Sequence, residues 1–173
     1  MNKRNKQEAI FALVQSVEEI GEPLEEYITS RKSDLREFCD VSIGEGNTRI
    51  TFDVLMDSSH VLDDDAVGKS KSSALKKVLE DYGAVIMKIV DGHVDRGIVE
   101  SFVDSIIRYV FVSNRQVGLA IIIGEEISPE TQVSANSFIS RRVRGLSTNL
   151  LLLIDNSSFS STSPLSTLSP LSD

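Results

Sequence analysis

Ala84-Val85-Ile86-Met87-Lys88-Ile89-Val90 is the stretch whose reading decides the fold. It is apolar and β-branched, with Tyr82-Gly83 before it and Asp91-Gly92 after it. So short a run between turn residues predicts a buried strand rather than a helix. Two similar runs follow, Val117 to Ile123 closed by Gly124, and Asn149 to Ile154. Between the first two the period changes. Ile98, Phe102, Ile106 and Val110 recur every fourth residue, and Val99, Val103 and Ile107 widen the stripe. That pattern predicts a helix over 96–111 with one broad core face. Ser128-Pro129-Glu130 supplies a cap, a proline at the first helical position and an acid in the first turn. The helix it opens runs to about 143, with Ala135, Phe138 and Ile139 inward and Gly145 ending it. Continuously apolar strands alternating with amphipathic helices predict parallel pairing, right-handed crossovers and helices on both faces of the sheet.

Working toward the N-terminus, 70–82 reads as a helix with Leu75, Val78, Leu79 and Tyr82 inward and Lys71, Lys76 and Lys77 outward. The polar stretch 57–68 reads as a loop. Asp40 to Ile43 and Thr48 to Met56 predict a β-hairpin turning at Gly44-Glu45-Gly46-Asn47. Strict alternation would put Ile50, Phe52, Val54 and Met56 on one face. Residues 6–20 form an amphipathic helix through Ile10, Leu13, Val14 and Val17. Gly21-Glu22-Pro23 breaks it, and Pro23 starts a second helix through about 38. The expected fold is therefore α/β: N-terminal helices over 1–39, then a core over 40–155 with a mixed central sheet flanked by helices. From 156 to 173 serine dominates and Ser-Pro-Leu occurs twice, at Ser163 and Ser169. Such a segment buries too little apolar surface to offset its ordering entropy, and a disordered tail is expected.

The chain has 173 residues, enough for one domain with a sizeable core. Its net charge of −8 argues for solubility and against an unspecific nucleic-acid coat, while leaving room for a local basic patch. Cys39 is the single cysteine, so no internal disulfide forms and a reducing, cytoplasmic setting is expected. The basic start is interrupted by Glu8 and Glu18-Glu19, unlike a signal peptide. No apolar run reaches the roughly 20 residues that span a bilayer, so no membrane association is expected.

Few motifs carry chemistry. Val67-Gly68-Lys69-Ser70 resembles the end of a phosphate-binding loop, but Asp63 stands where the first glycine belongs and Asp64-Asp65 would repel phosphate. Asp63-Asp64-Asp65 lacks the alternating ligands and central glycine of a calcium loop. His60 and His93 with one cysteine do not compose a zinc site. Arg141, Arg142 and Arg144 close a helix, where cations complement its dipole or reach phosphates.

The element order (helix, hairpin strands, strand, helix, strand, helix, strand) resembles the restriction-endonuclease-like fold, the PD-(D/E)XK superfamily. The local text is most similar to its Mrr-type branch. The pieces that carry the resemblance are Ile86-Met87-Lys88, the stretch 94–102, Gly118 to Ile123, Ser128 to Ala135, and Leu153-Ile154-Asp155. It spans about 40–155. The resemblance implies a nuclease fold of nucleic-acid metabolism or defence that binds DNA and cleaves phosphodiesters with Mg²⁺. It places the metal-binding aspartate at Asp53 and the water-orienting lysine at Lys88, and it leaves the second acid missing, because Ile86 occupies that place. Asp91, Asp57 or an acid on the first helix would have to replace it. Lys71, Lys76, Lys77, Arg141, Arg142 and Arg144 are the expected nucleic-acid contacts. The alternative is a non-enzymatic protein-interaction or homo-oligomerisation module, and a third class, a small-molecule sensor, would need a pocket at the carboxyl ends of the strands.

Overall fold

The computed structural model describes residues 6–31, 35–61, 74–142 and 148–154. Five strands form one mixed sheet in the order β1 (Cys39–Ile43), β2 (Ile50–Met56), β3 (Ala84–Ile89), β5 (Val117–Gly124), β7 (Asn149–Ile154). The first three are antiparallel neighbours and the last three are parallel. Parallel strands need crossovers, and these are α4 (Arg96–Ser113) and α5 (Pro129–Arg142). A short parallel ladder, β4 (His93–Val94) with β6 (Glu126–Ile127), lies beyond the carboxyl ends of β3 and β5. Strands of two residues leave no periodicity to read in a sequence.

Alternation along β3 sorts the core. Val85, Met87 and Ile89 face α1 (Lys6–Leu13), α2 (Glu18–Arg31) and α3 (Ala74–Tyr82). Ala84 and Ile86 face α4, whose Val99, Phe102, Val103, Ile106 and Tyr109 are buried, and α5 through Ala135. The sheet is thus covered on both faces, as the continuous apolar strands require. Ser128 caps α5 as the sequence reading expects, and Asp95 caps α4. The Asp95 side chain accepts from the Ile98 N–H, and Ser128 Oγ from the Thr131 N–H at 3.1 Å.

Two expectations are corrected. The N-terminal helix does not run to residue 20: it passes into a 3₁₀ turn at Val14–Ser16, and α2 begins at Glu18 with Pro23 inside it. Gly21 marks a close approach instead of a break, because a Cβ there would lie 2.3 Å from the Gln15 carbonyl oxygen. In β2 the alternation fails. Ile50 and Phe52 pack toward α4, and so does Leu55, whereas Val54 and Met56 pack toward the N-terminal helices. The frame shifts at Asp53. Its level in β1 is Asp40, which takes a left-handed φ of 52°. The shift acts as a β-bulge does, re-aiming the side chains that follow. The Val67–Ser70 motif, Asp63–Asp65, Lys71, Arg144, Asp155 and the serine-rich tail lie outside the described residues.

Candidate functional site

Asp53 and Lys88 come from different strands and line one cleft. The register that pairs Val54 with Met87 carries Asp53 to the level of Lys88. Both line a cleft of about 50 Å³, shared with Thr51 and, across it, Ser101 and Ser105 of α4. The Asp53 carboxylate is already engaged. One oxygen accepts the Ile89 N–H at 2.8 Å, standing in for a ladder bond where β2 and β3 part. The other lies 3.8 Å from the Lys6 ammonium, which also pairs with Asp40. The hydrogen bond to Asp40 holds the Lys6 pKa above the ordinary lysine value, so this cation stays charged.

That donor set does not fit a divalent cation. Ile86 stands in the place of the second acid and is wholly buried under α4. Among the described residues, no group of three or more His, Cys, Asp or Glu side chains is placed to hold a metal ion. Hard cations want several oxygen ligands, and a neighbouring ammonium opposes their charge. Two of the acids that could have replaced Ile86, Asp91 and Asp57, lie elsewhere. Asp91 is exposed beyond β3. Asp57 lies four residues past Asp53, roughly 13 Å along the strand direction, and serves another cluster.

That second cluster escaped the sequence reading. Asp57 is 2% exposed and ends β2. Its Oδ1 accepts the His60 N–H at 3.1 Å and the Ser59 hydroxyl at 2.7 Å, and it lies 2.7 Å from His60 Nδ1. Its Oδ2 accepts the hydroxyl of Tyr109, wholly buried on α4, at 2.6 Å. Burial alone would push the Asp57 carboxyl up. The hydrogen bonds from His60, Tyr109 and Ser59 outweigh it and hold the group well below the usual carboxylate range. Burial, then the bond to Asp57, pushes the Tyr109 phenol up. Ser59 Oγ and Asp57 Oδ1 both meet His60 on its Nδ1 side. A serine–histidine–aspartate relay needs the serine on the other ring nitrogen, so these three do not form one.

Among the described residues, the expected nucleic-acid contacts lie on helices that cover opposite faces of the sheet. Lys76 and Lys77 lie on α3, which packs on one face of the sheet through Leu75 and Leu79. Arg141 and Arg142 end α5, which packs on the other face through Ala135. A third feature is a cleft of about 650 Å³ where β2 ends and β3 and β5 begin. It lies at the amino ends of the parallel strands, opposite to where a sensor pocket was expected.

Comparison with protein-family models, curated proteins and solved structures gave no match to the chain. No helix among the described residues is long and apolar enough to cross a membrane.

Proposed function

We propose that the chain is a restriction-endonuclease-like domain of nucleic-acid metabolism or defence in which metal-dependent cleavage has been lost. One observation carries the reading. Asp53 and Lys88, far apart in sequence, sit at one level of neighbouring strands and line one cleft, with Ile86 buried where a second acid would stand. The strand order, an antiparallel β1-β2-β3 followed by parallel β3, β5 and β7, is compatible with the element order on which the resemblance rests. A carboxylate spent on a backbone N–H and beside an ammonium favours recognition over hydrolysis.

The test is a cleavage and binding assay on duplex and single-stranded DNA with Mg²⁺ or Mn²⁺, using wild type, Asp53→Ala and Lys88→Ala. The expected outcome is binding without cleavage in all three. Cleavage by wild type that both substitutions abolish would overturn the loss of catalysis. Neither binding nor cleavage would favour the second reading, a non-enzymatic protein-interaction or oligomerisation module. A specific feature supports that reading: Phe111 is 88% exposed and Val112 48% exposed on the last turn of α4, and Val133 is 83% exposed on α5.

A further inference from the structure

The 650 Å³ cleft at the amino ends of β3 and β5 shares no lining residue with the Asp53–Lys88 cleft. Its size is that of a small-molecule site. One wall is the C-terminal turn of α3, with Glu80 and Asp81. The other is the turn after α4, with Asn114, Arg115 and Gln116. Asp57 lies at the inner end.

The floor is bare backbone. Gly83 has a φ of 102°, and a Cβ there would lie 2.6 Å from the Gly118 amide nitrogen. The Ala84 N–H, bonded to the Gln116 carbonyl at 2.8 Å, closes it.

Charge decides what fits. Both helices present their C-terminal ends here, where the backbone dipoles are negative. Asp57 adds a buried carboxylate, and Glu80 and Asp81 add two at the mouth. Phosphate sites use helix N-termini, so this end of the sheet disfavours phosphate and nucleotides. Arg115 is the cation among the lining residues, and among the described residues its side chain hydrogen-bonds the Ser113 carbonyl alone, at 3.4 Å. Among the described residues neither Glu80, Asp81 nor Arg115 enters an ion pair, although all three line one cleft. Opposite charges held apart across a polar hollow are met together by a ligand that carries both.

We propose that this cleft binds a small zwitterion, its ammonium group toward Glu80 and Asp81 and its carboxylate toward Arg115. A free amino acid or a short peptide with both termini free is the ligand class. Three extended residues span about 10 Å, a length suited to a cleft between two helix ends.

The experiment is a titration of the full chain, ¹⁵N-labelled, followed through its amide resonances. The probes are triglycine, N-acetyl-triglycine, which lacks the ammonium, and triglycine amide, which lacks the carboxylate. Triglycine is expected to shift Gly83, Asn114, Arg115 and Gln116 saturably, and each blocked peptide to bind about tenfold more weakly or worse. Arg115→Gln should bring triglycine down to the affinity of its amide. Glu80→Gln with Asp81→Asn should bring it toward the acetylated form. These residues are exposed, so the fold tolerates the changes. Equal binding of the three peptides, indifference to both sets of substitutions, or no saturable shift at about 10 mM triglycine would each overturn the proposal.

Discussion

At the scale of single residues, Asp57 is the group on which most depends. Its carboxylate ties the end of β2 to α4 through Tyr109 and fixes the following turn through His60. Tyr109→Phe removes one donor and leaves Asp57 Oδ2 without it in a buried setting. The expected cost is about 1–3 kcal/mol, read from the urea midpoint at neutral pH. The pH dependence follows from the signs of the two shifts. The folded-state pKa of Asp57 lies below its unfolded value, so its contribution is complete above about pH 4 and is lost as pH falls below that. Tyr109 is shifted upward, so its contribution is complete below about pH 10 and is lost as pH rises further. Urea midpoints across pH should therefore fall at both ends, and Asp57→Asn should flatten the acid limb. An acid limb unchanged in Asp57→Asn would sink this account. Little of the cluster was legible. Asp57, Ser59 and His60 are close in sequence, and an acid three residues before its N–H partner is a turn signal. Tyr109 reads only as one more core position of α4, and its bond to Asp57 exists only once β2 and α4 pack.

At the scale of elements, β3, β5 and β7 were legible because strands buried on both faces must be apolar throughout, α4 because of its apolar stripe, and the start of α5 because of its Ser128 cap. What failed had a backbone cause. The change of face at Asp53 falls at the level of a left-handed Asp40, which no pattern of apolar residues records. The junction between α3, β3 and β5 makes a sharper demand. Gly118 opens β5 against the end of α3. A Cβ on it would lie 2.3 Å from the Tyr82 carbonyl oxygen and 2.8 Å from two of its ring carbons. The ring can turn, but the carbonyl belongs to the backbone. Gly118→Ala must therefore push β5 from the α3–β3 corner, and about 1–3 kcal/mol of stability should be lost. Gly97→Ala is the control. Its nearest contact would be Asp95 at 3.4 Å, in the first turn of α4, where alanine is the better helix former. Thermal melts of the two variants should separate clearly. Equal melting temperatures would mean that β5 does not approach Tyr82 so closely.

At the scale of the whole molecule, the question is what a chain of net charge −8 offers to a polyanion. Sequence marks the lysines of the third helix and the arginines of the fifth as one class of contact. The sheet separates the two helices: α3 covers one face and α5 the other, so a straight duplex is expected to meet one helix at a time. Each phosphate neutralised contributes about −0.9 to the slope of log affinity against log salt. A footprint on one face, with two or three cations, gives a slope of about −2 to −3, whereas all six expected contacts acting together would give about −5. Anisotropy titrations of a short duplex over a range of salt should return the smaller slope. The paired substitutions Lys76→Glu with Lys77→Glu, and Arg141→Glu with Arg142→Glu, then identify the face. One pair should flatten the slope and the other leave it unchanged. If both pairs flatten it equally, DNA contacts the two layers at once, and the separation of charge across the sheet does not limit recognition. If neither does, the contact is not made through these cations. The exposed apolar end of α4 around Phe111 then becomes the surface through which the domain meets its partner.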